Sequence, residues 1–468
     1  MELKYLIISG LIVSQVIAAQ TPLKKFINNP LLENANVSLL VRDLQTNETL
    51  YGYRANNTAV TASTIKTVTT ATALELFGAD FRFETKIEID GEISDSILNG
   101  NLYIWGGGDP TLGSAKLGNA DFLKIWADTI RKSGIKKITG RIIADPSIFD
   151  KNVINRKWTW EDIGNYYAPG IHGISYLDNT YKAYFNSGAP GTKTQLVKIE
   201  PEIGGLEIDN QVMSAKISYD NAYFFGAPFL YKRYVTGEIP ANKTNFIVKG
   251  DIPEPALLLA QHLHTQLINS GISITKAPIV EYKKTDSRKV IYTYYSPTLA
   301  EIITETNVKS NNHFAEYLFR YIGTLSGTPA TTESSIENIR SYWKKKGLPV
   351  DQLFQYDGSG LSPVDGVSAE FFVDLLTYMK KNSKYSETYF NSLPVSGVNG
   401  TMVSVLNKTR LQGKVHAKSG TLENVKCYTG YIDLNNRTLV FAILVNNPNG
   451  TSHAVINRIE NFLLDISK

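Results

Sequence analysis

Three short segments at the beginning, middle and end of the chain constrain its fold more than any other feature. They are Ser63 to Lys66 (Ser-x-x-Lys), Ser310 to Asn312 (Ser-x-Asn) and Lys418 to Gly420 (Lys-Ser-Gly). A serine followed one helical turn later by a lysine suits a nucleophile and its base, because a serine hydroxyl is a weak nucleophile until a neighbouring base takes its proton. The chain must therefore fold so that these distant segments meet at one site.

The order of the three segments along the chain is stronger evidence for a catalytic site than any one segment alone. Ser-x-x-Lys also occurs at residues 133–136, 273–276 and 341–344, and a second Lys-Ser-Gly occurs at 132–134. Ser-x-Asn occurs once, and only the Ser63 copy of Ser-x-x-Lys opens a long apolar run of helical character. Taken singly, a serine at a helix start is usually an N-cap. Taken together and in order, the three segments predict a catalytic serine.

The composition describes a globular chain and narrows the kinds of site it can carry. With 468 residues, 43% hydrophobic and 20% charged, two or three domains are expected. The net charge of +4 is typical of an ordinary solvated surface, and no long basic run indicates a nucleic-acid partner. The six histidines form no His-Glu-x-x-His pattern, and no Gly-x-Ser-x-Gly turn is present. We expect no metal and no cofactor.

The first residues carry a targeting pattern. A charged start, an apolar stretch from Tyr5 to Ile17 and small residues at 18 and 19 predict a secretory signal peptide over residues 1–19. The apolar stretch is too short for a transmembrane helix, so no integral membrane segment is expected after cleavage. The single cysteine, Cys427, excludes an intramolecular disulfide framework. Export without disulfides favours a protein of the bacterial envelope.

Hydrophobic periodicity predicts a discontinuous catalytic domain. Strands are expected at 37–41 and 49–53, a helix at 62–77 beginning near Ser63, and strands at 427–433 and 438–446. Residues 82–286 are rich in short strand-like segments, with a nested subdomain near 151–246. We therefore predict an α+β fold in which residues 20–81 and 287–468 form one antiparallel sheet flanked by helices. Residues 82–286 would be a large β-rich insertion into it.

Two of the three motifs are assigned to connections between regular elements. Ser310 and Asn312 are expected on a loop that links helices at 298–306 and 312–322. A strand is expected at 413–418, ending in a turn formed by Lys418, Ser419 and Gly420.

Further stretches resemble a known family. They are residues 357–362 (DGSGLS), 393–401 (LPVSGVNGT) and 413–422 (GKVHAKSGTL). Together with the three motifs and the large insertion, they resemble the low-molecular-mass class C penicillin-binding proteins, the S13 family of D-alanyl-D-alanine carboxypeptidases and endopeptidases. Ser419 stands where threonine is commoner in that family, and Asn311 where aspartate is commoner. Asp357 and Ser359 are expected to shape a loop.

The resemblance implies a role for each motif residue. Ser63 would be the nucleophile and Lys66 its base, with a pKa lowered by burial beside other cationic groups. Ser310 would relay a proton to the leaving amine, Asn312 would hold the peptide amide and orient Lys66, and Lys418 would supply positive charge.

The strand after Lys418 is assigned to substrate binding. The resemblance implies that the hydroxyls of Ser419 and Thr421 bind the terminal carboxylate, with Gly420 between them. The backbone N–H groups of Ser63 and Thr421 would form the oxyanion hole.

The sequence therefore predicts a serine-type D-Ala-D-Ala carboxypeptidase with D,D-endopeptidase activity on cross-links. Its partners would be peptidoglycan stem peptides and β-lactam antibiotics, and its location periplasmic or extracellular, in association with the cell wall. A β-lactamase or esterase on the same scaffold is one alternative, although those enzymes generally lack so large an insertion. An inactive cell-wall-binding scaffold protein is another, against which the intact motif residues argue.

Overall fold

The computed structural model describes residues 21–283 and 287–468. The predicted signal peptide, 1–19, lies outside the described residues. The chain divides into two compact units: the first comprises the residues up to Ala79 together with Ile303–Asn311 and Ile339–Lys468, and the second comprises Asp80–Ile302 and Asn312–Asn338. Within the described ranges, no helix has both the length and the apolar character needed to cross a membrane.

The strands of the described residues, in chain order, are β1 (Asn36–Asp43), β2 (Thr49–Tyr53), β3 (Thr58–Val60), β4 (Glu84–Ile89), β5 (Glu92–Ser94), β6 (Ile97–Asn99), β7 (Leu102–Trp105), β8 (Lys137–Ile138), β9 (Ile142–Asp145), β10 (Thr180–Asn186), β11 (Gln195–Glu200), β12 (Glu207–Ala215), β13 (Asn221–Phe225), β14 (Lys232–Pro240), β15 (Phe246–Asp251), β16 (Ser273–Ile274), β17 (Ile279–Val280), β18 (Lys289–Tyr295), β19 (Leu353–Phe354), β20 (Gly366–Ser368), β21 (Val415–Leu422), β22 (Val425–Leu434) and β23 (Arg437–Asn446).

The main helices are α1 (Lys66–Phe77), α2 (Phe122–Lys132), α3 (Pro255–Asn269), α4 (Leu299–Lys309), α5 (Asn312–Ile322), α6 (Thr332–Lys345), α7 (Ala369–Lys381), α8 (Ser386–Ser392) and α9 (Ser452–Ile466). A 3₁₀ turn, Ala62–Ile65, leads directly into α1.

The first unit is built on a five-stranded sheet of order β2-β1-β23-β22-β21 in which every neighbouring pair is antiparallel. β23 lies at its centre, and its last eight residues are buried, as a strand covered on both faces must be. The apolar side of α9, including Ile459 and Phe462, packs with this sheet in one hydrophobic core. The predicted α+β fold, an antiparallel sheet flanked by helices, is confirmed.

One local prediction within this sheet is wrong. The Lys418–Gly420 segment does not form a turn at the end of a strand, because β21 continues through it to Leu422. Lys418 is paired with Thr429 of β22, and the chain reverses only at residues 423 and 424. The cross-strand hydrogen bonds override the weak strand propensity of Lys, Ser and Gly.

The second unit has its own core and four further sheets. Their orders are β17-β9-β7-β4-β18, β16-β8-β6-β5, β11-β10-β15 and β12-β14-β13. Its core is a separate hydrophobic cluster in which Trp126 of α2 and Leu263 of α3 are fully buried. A unit with its own core satisfies a basic requirement for a domain.

The second unit extends beyond residues 82–286 at its C-terminal side. β18 pairs antiparallel with β4 over Lys289 to Tyr295, so these residues belong to the same sheet as the start of the unit. The helix α5 also belongs here, since the Arg320 guanidinium lies 2.6 Å from the Asp150 carboxylate. Pairing between strands some 200 positions apart leaves no local trace in the sequence.

Candidate active site

Ser63 lies in the 3₁₀ turn that opens α1. The preceding residue, Ala62, is fully buried and has a positive φ of 44°, a conformation that non-glycine residues adopt only where the surroundings impose it. One turn later, the Lys66 Nζ atom lies 2.9 Å from the Ser63 Oγ atom and is within hydrogen-bonding distance. The lysine side chain is fully buried, whereas Ser63 is half-buried. The Ser-x-x-Lys spacing thus produces a direct contact between the two side chains.

The Lys66 amine is also held by the loop at residues 357–362. Its Nζ atom donates to the Ser359 carbonyl oxygen at 2.5 Å. The loop is shaped by the buried Asp357 carboxylate, which accepts hydrogen bonds from the backbone N–H groups of Ser359, Gly360 and Ser362 at 3.1, 2.6 and 2.8 Å. Asp357 therefore orders the loop that fixes the Lys66 amine beside Ser63.

Ser310 ends helix α4 in an unusual backbone conformation. Its φ is 55°, the left-handed value at which helices usually place glycine. The Asn311 N–H donates to the Thr306 carbonyl at 3.0 Å, which is the closing hydrogen bond of a Schellman motif. A non-glycine residue here costs of order 1–3 kcal/mol, and such costs cluster at functional sites.

Lys418 of β21 reaches the Ser310 hydroxyl. Its Nζ atom donates to the Ser310 Oγ at 2.9 Å and to the Ser419 carbonyl at 2.8 Å. The side chain is fully buried, and burial, followed by the charges of Lys66 and Lys426, holds the pKa of Lys418 well below its usual value. The two lysines of the predicted site are therefore close enough to influence each other electrostatically.

Gly420 brings β21 against the nucleophile turn. A Cβ atom at Gly420 would lie 2.5 Å from the Thr61 carbonyl oxygen and 3.1 Å from the Ser63 nitrogen. Only a residue without a side chain permits this approach. The strand edge after Gly420 therefore runs beside the Ser63 backbone N–H, as an oxyanion hole built from Ser63 and Thr421 requires.

The two hydroxyls assigned to substrate binding are each held by a neighbour. The Ser419 Oγ atom donates to the Thr401 Oγ1 at 2.9 Å. The Thr421 Oγ1 accepts from the Lys426 Nζ at 2.6 Å. Ser419 is nearly buried and Thr421 is exposed.

Asn312 is the remaining residue of the Ser-x-Asn motif. It is the first residue of α5 and lies in the second unit, whereas Ser310 and Asn311 belong to the first. Its side-chain amide donates to the Tyr167 carbonyl at 2.9 Å within the second unit. The structure thus joins Ser63 with Lys66, Ser310 with Lys418, and Gly420 with the Ser63 turn.

Three contacts of the site were not predicted: the Ser359 carbonyl on Lys66, Thr401 on Ser419, and Lys426 on Thr421. The first two depend on long-range folding and have no local signal. The third could have been found, because Lys426 faces Thr421 across a hairpin whose reversal at residues 423 and 424 sets the register.

No cluster suited to a metal ion is found among residues 21–283 and 287–468, where three or more His, Cys, Asp or Glu side chains would be needed.

An α+β fold with a serine–lysine contact at the start of a helix is typical of active-site-serine hydrolases. The model of the D-Ala-D-Ala carboxypeptidase 3 (S13) family matches residues 19–464. The chain belongs to this family. The predicted family and the predicted class, a serine carboxypeptidase, are confirmed, while the roles of individual residues stay predictions.

Individual relatives agree with this assignment. The chain is 28% identical over 444 residues to a D-alanyl-D-alanine carboxypeptidase of Actinomadura sp. (strain R39), a match that covers 91% of this chain and 80% of the relative. Its fold is similar to the crystal structure of penicillin binding protein 4 (dacB) from Haemophilus influenzae, with a TM-score of 0.82, 21% identity and coverage of 97% and 99%. A crystal structure of that protein complexed with a β-lactam matches with a TM-score of 0.78, 21% identity and coverage of 96% and 98%.

Proposed function

We propose that the chain removes the terminal D-alanine from peptidoglycan stem peptides through an acyl-enzyme at Ser63. The observation that carries the proposal is the 2.9 Å contact between the Lys66 Nζ and the Ser63 Oγ. It puts a base within proton-transfer distance of the nucleophile. In the second pair, the Lys418 ammonium donates a hydrogen bond to the Ser310 hydroxyl.

The first half of the reaction forms an ester. Neutral Lys66 takes the Ser63 proton as the Oγ atom attacks the carbonyl carbon of the penultimate D-alanine. The C–N bond to the terminal D-alanine breaks, and Ser310 passes a proton from the Lys66 ammonium to the leaving nitrogen. Because Lys418 donates to the Ser310 oxygen, the Ser310 hydroxyl proton is free to point toward that nitrogen.

The second half regenerates the enzyme. Water attacks the ester carbonyl as neutral Lys66 takes one of its protons, and the C–O bond to Ser63 breaks as Lys66 returns that proton to the Oγ atom. The shortened peptide departs as a carboxylate after its second proton is released to solvent. In both halves the negative charge on the carbonyl oxygen would be stabilised by the backbone N–H groups of Ser63 and Thr421. Each such donor is worth about 2.7–4 kcal/mol of barrier.

The same acyl transfer accounts for two further expectations. A cross-link ends in a D-alanyl peptide bond, so opening it is the same reaction with a larger leaving amine, and D,D-endopeptidase activity follows. A β-lactam presents a strained amide and a nearby carboxylate, and its opening by Ser63 leaves a slowly hydrolysed ester. Action on peptidoglycan places the protein outside the cytoplasm, in the periplasm or at the cell wall.

The second unit would act on the polymer rather than in the bond-breaking step. Its two segments, Asp80–Ile302 and Asn312–Asn338, interrupt the first unit at two places, and it has its own core. Apart from Asn312, it holds none of the predicted site residues. It would position peptidoglycan strands, while Asn312 would hold the peptide amide of the substrate.

The test is replacement of the nucleophile. Ser63→Ala is expected to abolish covalent labelling by a fluorescent penicillin and the release of D-alanine from a stem pentapeptide, with the fold retained. Loss of a helix-start serine costs only about 0.5–2 kcal/mol. Ser341→Ala is the matched control, because Ser341 begins another Ser-x-x-Lys and is exposed.

Two outcomes would contradict the proposal. Labelling of Ser63→Ala at another serine would remove the nucleophile assignment. Rapid turnover of penicillin by the wild-type protein, without release of D-alanine, would indicate a β-lactamase on this scaffold.

A further inference from the structure

Lys426 is a nearly buried lysine that the reaction above does not use. It is 9% exposed, and its Nζ atom donates to the Thr421 Oγ1 at 2.6 Å. Lys426 is the direct cross-strand partner of Thr421 in the β21–β22 pair. Residues paired in this way project their side chains from the same face of the sheet, so the contact follows from the strand register.

The charge of Lys426 has no anionic partner in the described part of the chain, where no carboxylate lies within 4.0 Å of its Nζ atom. Its other contact is with the ring of Tyr428, whose centroid is 5.7 Å away. Burial lowers the pKa of Lys426. A buried ammonium without a counter-charge is costly, and an anionic ligand would offset that cost.

Lys426 also sets the direction in which the Thr421 hydroxyl donates. An ammonium group can only donate hydrogen bonds, so the Thr421 oxygen accepts from it. The Thr421 proton is then free to donate to a ligand. A hydroxyl that accepts from a cation is a stronger donor, because the hydrogen bonds polarise one another.

Lys426 lies within electrostatic range of the reaction site. Its charge is one of the causes that lower the pKa of Lys418, whose Nζ contacts Ser310. Lys418 and Lys426 thus place two lysines on neighbouring strands of one sheet, and the Lys426 Nζ contacts the Thr421 hydroxyl. The positive charge of such a pair attracts an anion toward the strand that carries Thr421.

We propose that Lys426 is a specificity-determining residue, a second cation that selects substrates with a free C-terminal carboxylate by acting on and through the Thr421 hydroxyl. This rests on the proposed carboxypeptidase function. It adds a residue outside the three motifs and predicts a preference for the carboxylate over an uncharged end of the same size.

The test compares a peptidyl-D-Ala-D-Ala acid with its C-terminal amide. In Lys426→Met, kcat/KM for the acid is expected to fall about tenfold to a hundredfold, the scale of a hydrogen bond to a charged group, with most of the change in KM. The amide should change by no more than about twofold. Lys345→Met is the matched control, because it removes one charge from an exposed lysine of the first unit.

Two further variants separate charge from packing. Lys426→Gln keeps a donor for Thr421 without the charge and should lose the preference for the acid, whereas Lys426→Arg should retain it. If the methionine variant does not fold, the acid-to-amide ratio of the glutamine variant still tests the role of Lys426. Equal losses on the acid and the amide, or an unchanged ratio, would overturn the proposal.

The two proposals fail separately. A wild-type protein that neither releases D-alanine nor is labelled at Ser63 would contradict the carboxypeptidase function itself. An active wild type whose acid-to-amide ratio survives loss of Lys426 would contradict only the role of Lys426.

Discussion

Gly420→Ala should disable the site while leaving the fold in place. The added methyl group would meet the Thr61 carbonyl oxygen at 2.5 Å, the Thr64 nitrogen at 3.0 Å and the Ser63 nitrogen at 3.1 Å. All three are backbone atoms, so no side chain can rotate away to make room. The strand β21 and the nucleophile turn must instead separate.

The size of the effect follows from the distances. Ordinary contact for a Cβ atom begins at 3.4 Å, so the strand must retreat by roughly 0.9 Å from the Thr61 oxygen. A misplacement of about 1 Å in a catalytic arrangement can cost about 10²-fold in rate. The accompanying loss of stability should be about 1–3 kcal/mol, the usual cost of overpacking.

The assay is the second-order rate of labelling by a fluorescent penicillin, with thermal unfolding measured in parallel. Gly52→Ala is the matched control in the same sheet, because the nearest atoms to its added methyl, on Leu40 and Thr49, lie at an ordinary 3.7 Å. We expect the control to label at the wild-type rate. A folded Gly420→Ala protein that labels within about threefold of wild type would show that close approach of β21 to Ser63 is not needed for acylation.

Two other predictions concern stability. Asp357→Ala should lower the free energy of unfolding by about 3 kcal/mol, because three buried backbone N–H groups lose their acceptor; urea unfolding measures this. The variant should also be labelled by penicillin more slowly, because the Ser359 carbonyl that holds Lys66 loses its position. An unchanged labelling rate would contradict this role of the loop. Burial lowers the pKa values of His172 and His313 to about 3. Below about pH 6.5 these two histidines therefore bind protons in the unfolded chain but stay neutral in the native protein. Stability should fall as the pH drops from 6.5 toward 3, although Asp109, whose pKa burial raises to about 6, offsets part of the loss below pH 6. By pH 4 the free energy of unfolding, measured with urea, should have fallen by a net amount on the order of 3 kcal/mol, and by less in His172→Gln. A free energy of unfolding that does not change with pH would contradict the assignment of both histidines as buried and neutral.

The regular elements of the first unit were predictable because their signals are local. The strand predicted at 438–446 is β23, Arg437–Asn446, since a run of apolar residues bounded by turn residues marks a buried strand. The helix after Ser63 was expected at 62–77, and the structure has a 3₁₀ turn followed by α1 over that range. Both patterns depend only on neighbouring residues.

The pairing of strands that are far apart in the sequence could not be predicted from local sequence patterns. Lys418, Ser419 and Gly420 suggested a turn, yet they lie inside β21, because hydrogen bonds to β22 hold the strand extended. Likewise, because β18 pairs with β4, the second unit extends beyond residue 286, the predicted end of the insertion. Neither partner strand is close enough in sequence to leave a signal in a local window.

The amino-acid sequence alone determined the family, the α+β class and the residue types of the site, because motif spacing and hydrophobic periodicity are properties of short segments. The tertiary structure alone decided which groups touch. Ser310, the left-handed residue that ends α4, contacts Lys418 of β21. The Asn312 side-chain amide donates to the Tyr167 carbonyl, 145 positions away in the sequence. Contacts of this kind depend on the packing of segments hundreds of residues apart, and only the folded chain specifies them.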